Sequence, residues 1–215
     1  MKYYKISKNN SIMLIVFVLL ASLLINVYTS VMNSRYKLLI GKETYKSVEE
    51  IRTRNESVVA TLDQCLKSKS ISNEELLSLY KNFTSISDEY TNLWLNYKDY
   101  GKEQIISITK KNKISNEVPS EVYTRIESLL FEYLNFEMQN HNDKMVLSGE
   151  VLDNFSEIYN MSKELNDFYN KFNEEKIKDI DKKEVMYIKK NYWIDALKGI
   201  NSTVEPYLDY EFTIK

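Results

Sequence analysis

From Ile12 to Ile25 the chain carries no charge, and Ser22 is the only hydroxyl in the run. The run is apolar on every side of a helical turn, with Ile12, Leu14, Val16, Phe17, Leu20, Leu24 and Ile25 among its bulky side chains, which a helix with one wet face does not tolerate. Taken from Ser11 to Met32, about 22 residues at about 1.5 Å each span about 33 Å, enough to cross a hydrocarbon core of about 30 Å. The segment predicts a transmembrane helix over 11–32.

Charge on either side predicts its orientation. Lys2, Lys5 and Lys8 precede the run, whereas Arg35 and Lys37 after it are soon joined by Glu43, Glu49 and Glu50. The positive-inside tendency makes 1–10 a basic cytoplasmic tail and puts the rest of the chain outside, with the C-terminus extracytoplasmic. A cleaved signal peptide is the rival reading. It lacks support because no A-x-A pattern follows and the apolar run is long for a signal core. The expectation is an uncleaved single-pass cell-membrane protein touching lipid through one helix.

The remainder reads as helix. Four Gly and two Pro in 215 residues leave little material for the tight turns of a sheet protein. Leu38, Gly41, Tyr45, Val48, Ile51, Val58 or Val59, Leu62 and Leu66 recur at three- and four-residue intervals, broken by a polar patch from Arg52 to Glu56. Only Gly41 interrupts, so the membrane helix is expected to continue as one rod. Lys67 to Asn73 reads as a turn, and Ser72 with Glu75 as a capping box opening a second helix. That helix places Leu76, Tyr80, Phe83, Tyr90, Trp94 and Tyr97 on one largely aromatic face and continues toward Ile105 and Ile108, with Gly101 a candidate stop or kink. Lys110 to Pro119 predicts a break.

A third helix, from about Ser120 to Leu147, carries Leu129, Leu130, Phe131, Tyr133, Leu134, Phe136 and Met138, more apolar bulk than one stripe holds. Ser148-Gly149 punctuates the pattern before a fourth amphipathic helix through Phe155, Leu165, Tyr169 and Phe172. Asp181 to Glu184 then reads as the start of a fifth through Val185, Ile188, Tyr192, Ala196 and Leu197, with Gly199 as its terminator. The fold class expected is all-α: one N-terminal transmembrane helix, an elongated up-and-down bundle of four or five helices over 33–200, and a C-terminal tail over 201–215.

Most chemistries lack raw material. Lys plus Arg number 29 against 31 Asp plus Glu, a net charge of −2, so no excess of positive charge exists for nucleic acid. A single Cys, Cys65, forbids an intrachain disulfide and reads as a small structural residue. The single His, His141, shares a helix face with Glu137, but the spacing differs from the Glu-x-x-His of di-iron bundles and no second His exists. There is no G-x-S-x-G elbow, phosphate loop or dinucleotide fingerprint. No catalytic activity, cofactor or metal is expected.

Lysine far outnumbers arginine, and Asn, Ile and Tyr are plentiful, a bias of AT-rich bacterial genomes. The function expected is therefore an interaction or scaffold module of a bacterial cell envelope, with a protein partner or a homo-oligomer. Its candidate contact surface is Leu130, Phe131, Leu134 and Met138. The alternative is a ligand-sensing domain with a pocket at Tyr90, Trp94 and Tyr97. About ten cytoplasmic residues would oblige it to signal through a separate membrane partner.

Overall fold

The computed structural model describes residues 8–103 and 120–212. Lys2, Lys5, Ile105, Ile108 and the break at Lys110 to Pro119 lie outside the described residues. Among those described are six α-helices and two short strands: α1 (Lys8–Ser68), β1 (Ser70–Ser72), α2 (Asn73–Glu103), α3 (Ser120–Gln139), β2 (Lys144–Val146), α4 (Gly149–Lys176), α5 (Lys183–Lys190) and α6 (Tyr192–Val204). Single 3-10 turns occupy Ile180–Lys182 and Glu205–Tyr207. The all-α expectation holds. The chain divides into two compact units, Met1–Ile40 and Gly41–Lys215.

In the first unit, the side chains from Ile12 to Ile25 are exposed all around α1 except Ser22's neighbour Ala21, which is half-buried. The helix is long and apolar enough here to cross a membrane. Its hydroxyls turn inward on their own backbone: Thr29 Oγ1 donates to the Ile25 carbonyl, and Ser34 Oγ to that of Ser30 at 2.9 Å.

The second unit is built on helical stripes, though in α2 part of the buried line runs one position away from the one read from spacing, so that Tyr80, Trp94 and Tyr97 are half-buried. Val48, Ile51, Val58, Leu62 and Cys65 of α1 are buried, as are Leu76, Leu79, Phe83, Ile86, Tyr90 and Leu93 of α2 at alternating steps of three and four. Tyr80 meets Phe131 at a ring distance of 5.7 Å, Thr84 meets Glu127, and Tyr90 meets Tyr123 at 5.7 Å, so α2 and α3 run antiparallel. Ser47 to Glu89 and Arg54 to Asn82 give α1 and α2 the same relation. The capping box at the start of α2 is formed: the Glu75 N–H donates to Ser72 Oγ at 3.3 Å, and the Ser72 N–H to Glu75 Oε2 at 2.8 Å.

Several expected boundaries are corrected. The third helix ends at Gln139, not Leu147. The Asn142 N–H reaches back to the Glu137 carbonyl at 3.1 Å and the His141 N–H to that of Met138 at 3.3 Å, with His141 left-handed at φ 55. That is a Schellman stop with histidine in the place glycine usually takes. The residues beyond it form β2, which pairs antiparallel with β1 in the register Ser70 to Val146, Ile71 to Met145 and Ser72 to Lys144. The turn after α1 thus contains a strand, so a small sheet exists where only loops and helix were expected.

The expected fifth helix is two. Asn191 stands between α5 and α6 in the left-handed region, φ 53 and ψ 36, a conformation Asn tolerates better than most residues. In one unbroken helix Tyr187 and Trp193 would point about 120° apart. The break allows both to be buried.

None of the glycines read as possible helix stops acts as one. α2 passes through Gly101 to Glu103, α1 through Gly41, and α6 through Gly199 to Val204. At Gly199 a Cβ would lie 2.0 Å from Phe168, and at Gly41 2.8 Å from Ile188 Cγ2. These two glycines let α4 approach α6 and α5 approach α1. The tail beyond 200 also packs: Val204 and Tyr207 are buried.

Candidate functional site

Of the four residues expected to form an apolar contact surface on α3, two belong to the core. Leu130 and Leu134 are buried. Phe131 and Met138, seven residues apart and therefore on one stripe, are 47% and 61% exposed. Phe136, at 60%, faces solvent as well. The excess of apolar residues in α3 is resolved by a covered face and a partly uncovered one. Phe131 touches Tyr80 of α2, so this outer stripe borders the α2–α3 seam.

The proposed pocket residues form no open aromatic face. Tyr90 is fully buried and its hydroxyl donates to Asn201 Oδ1 of α6 at 2.6 Å. Trp94 stacks on Tyr97 at 5.9 Å, and Tyr97 meets the edge of buried Trp193 at 6.4 Å. These rings join α2 to α6.

Asn side chains satisfy part of the tyrosine-rich core. Besides Tyr90 and Asn201, Asn154 Nδ2 donates to the Tyr133 hydroxyl at 2.8 Å while Asn154 Oδ1 accepts from Tyr210 at 3.3 Å. By contrast, the hydroxyls of Tyr123, Tyr169 and Tyr187 have no hydrogen-bond partner among the described residues. Burial pushes all three phenols up from their ordinary range, and for Tyr187 the Glu49 carboxylate pushes in the same direction. Buried polar atoms without partners also occur on Ser162, Asn166 and Asn173, which with Tyr169 make one stripe of α4 at steps of four, three and four. Asn55 of α1 donates to the backbone carbonyl of Ser162 at 2.7 Å. The helical spacing of these polar residues is visible in the sequence, but the burial of their polar atoms is not.

Arg125 was not singled out by sequence. Its guanidinium donates to the carbonyls of Leu208 at 2.6 Å and Tyr210 at 3.0 Å, clasping the C-terminal segment to α3. A shallow groove of about 300 Å³ lies beside it, lined by Thr124, Ser128, Leu129, Glu132 and Phe212. A second, of about 430 Å³, lies between α1 and α5. Its walls carry Lys42 and Lys46 against Glu49, Glu50 and Glu184, so charges of both signs face one another. Glu49 is already engaged by Arg52 at 3.2 Å and Lys183 at 2.7 Å.

His141 is exposed and serves the helix stop, while Glu137 is buried. No cluster of three or more potential metal ligands occurs among the described residues. Cys65 is buried, and desolvation together with the Glu75 carboxylate pushes its thiol up to about 12.

The geometry defines an all-α protein with one helix long and apolar enough to cross a membrane. Comparison with known protein families, curated proteins and solved structures finds nothing that matches the chain.

Proposed function

We propose that the protein is a single-pass membrane protein of a bacterial envelope whose residues beyond the apolar segment form an extracytoplasmic helical bundle that binds another protein. The single observation that carries the reading is the apolar surface of α1 from Ile12 to Ile25, exposed around the helix. Lipid is the solvent that removes the cost of that surface. The internally bonded hydroxyls of Thr29 and Ser34 support it, since a side-chain donor in hydrocarbon needs a partner. The basic residues ahead of the segment support a cytoplasmic N-terminus.

Support for an up-and-down bundle comes from the antiparallel pairing of α1 with α2 and α2 with α3. The contact surface in this reading is narrower than spacing suggested: Phe131 and Met138, without Leu130 and Leu134. The close packing of Tyr90, Trp94 and Tyr97 favours the interaction module over a ligand sensor that uses those rings.

The test is alkaline extraction of cell membranes followed by cysteine labelling in intact cells. Retention in the membrane, with a cysteine placed at exposed Lys163 labelled from outside by an impermeant maleimide, is expected. Release into the soluble fraction, or labelling only after lysis, refutes the reading. Photocrosslinking from position 138 in whole cells then identifies the protein bound.

A further inference from the structure

We infer that the end of the second unit at which α5 turns into α6 rests on the membrane surface, where Lys176, Lys189 and Lys190 take the phosphates of anionic lipid headgroups. The inference rests on the reading that α1 crosses a membrane. It adds a second, electrostatic contact with the same bilayer.

Three helices of this unit run against α1 and end beside its first residue. In α5, Lys183 meets Glu49 at 2.7 Å, Tyr187 meets Tyr45 at a ring distance of 5.2 Å, and Ile188 Cγ2 lies 2.8 Å from a Cβ placed on Gly41. In α4, the Ser162 carbonyl accepts from Asn55, and ten residues later Phe172 stands 6.0 Å from Tyr187. In α2, Asn82 is at Arg54 and Glu89 at Ser47, so Trp94 and Tyr97 lie farther toward the same end. Gly41 opens the unit. The nine residues from Met32 to Gly41 span about 14 Å at the rise of a helix and at most about 32 Å fully extended. Of the unit's surfaces, this end is the one the chain holds close to the bilayer.

Its chemistry suits a headgroup layer. From Val185 to Ile194 the only charged side chains are Lys189 and Lys190, both exposed and neither in an ion pair among the described residues. Lys176 and Lys190 set their ammoniums 5.6 and 5.7 Å from the centroid of one ring, that of Tyr192. Among the described residues the one carboxylate paired with any of these three lysines is Asp195, 3.9 Å from Lys176. Cations gathered around one ring repel each other, and a phosphate among them relieves the repulsion. Both tryptophans of the chain stand at this end: Trp94 stacks on Tyr97, which meets Trp193 at 6.4 Å. Trp and Tyr are the residues enriched at the membrane–water boundary, and clustered lysines beside a membrane segment favour anionic lipid. The occupant is lipid because α1 keeps a bilayer within reach of this end at all times, an effective concentration that no free partner has.

The test uses the full chain in proteoliposomes of phosphatidylcholine with and without phosphatidylglycerol. It reads quenching of the two native tryptophans by a lipid carrying a nitroxide on its headgroup. Stronger quenching is expected where phosphatidylglycerol is present, falling to the level of phosphatidylcholine alone in about 1 M salt. Lys176→Gln, Lys189→Gln and Lys190→Gln together are expected to weaken the seated state about a hundredfold and so remove that excess, with helicity unchanged. Lys189→Gln with Lys190→Gln changes two exposed positions only. It is expected to weaken the seat about thirtyfold, and it serves should the triple variant fail to fold. Equal quenching with and without phosphatidylglycerol, or undiminished quenching in a folded variant, overturns the inference. Alkaline extraction of the same vesicles separates its failure from that of the reading beneath it. Protein released from the vesicles overturns both, whereas protein retained but unquenched overturns the seat alone.

Discussion

The Tyr90 hydroxyl and Asn201 Oδ1, separated by 111 positions in sequence, meet at 2.6 Å between α2 and α6. The pairing converts a residue that sequence offered as pocket lining into a buried tie between the middle and the end of the chain. Tyr90→Phe leaves the Asn201 amide without its partner in a low-dielectric site. A loss of about 1–2 kcal/mol is expected, read by thermal unfolding in circular dichroism. A change below about 0.3 kcal/mol would show that the bond contributes nothing net.

Gly199→Ala tests whether close approach, not chain termination, explains that glycine. Helix propensity alone favours alanine by about 1 kcal/mol. The new methyl would sit 2.0 Å from the Phe168 ring, and overpacking of this kind costs about 1–3 kcal/mol, so the net change is expected to be destabilising. Phe168→Leu in the same chain should recover part of the loss. Stabilisation by the single change contradicts the packing account.

His141→Gly is expected to stabilise the protein by about 1 kcal/mol, because a left-handed residue costs less without a Cβ and the two Schellman hydrogen bonds are made by backbone alone. The same substitution removes the only imidazole. If denaturant unfolding instead shows a loss, the side chain has a role beyond stopping the helix.

Alkaline titration reports the buried phenols. Tyr90, Tyr123, Tyr169 and Tyr187 are all held above their ordinary value of 10.0 chiefly by burial, and Tyr207 is pushed up to about 12 by burial and by Glu164. An acid whose folded pKa is raised binds its proton more tightly folded than unfolded, so stability falls as pH rises through the unfolded value near 10. Phenolate absorbance is expected to rise in two phases. Exposed tyrosines ionise first, and the buried set appears only together with loss of helical signal. A single phase preceding unfolding disproves the assignment.

Cys65 should be inert to thiol reagents at pH 8 in the folded protein and react fully in denaturant, since its thiol is held near 12 and shielded from solvent. Rapid modification without unfolding places the thiol at the surface.

The sequence by itself determined what depends on local periodicity and composition. The apolar run of α1, the three-and-four spacing of α2 and α4, and the Ser72–Glu75 box are each decided by residues within one or two turns, where propensity and side-chain reach operate. Tertiary structure decided what depends on residues distant in the chain. Whether Gly199 ends a helix or admits Phe168 is settled by α4, which no local window contains. The inward turn of Leu130 and Leu134 and the outward turn of Phe131 and Met138 depend on which neighbours cover α3, since an apolar side chain reads alike on either face. The strands at 70–72 and 144–146 exist only because each supplies the other's hydrogen bonds, and three residues carry too little local preference to announce themselves.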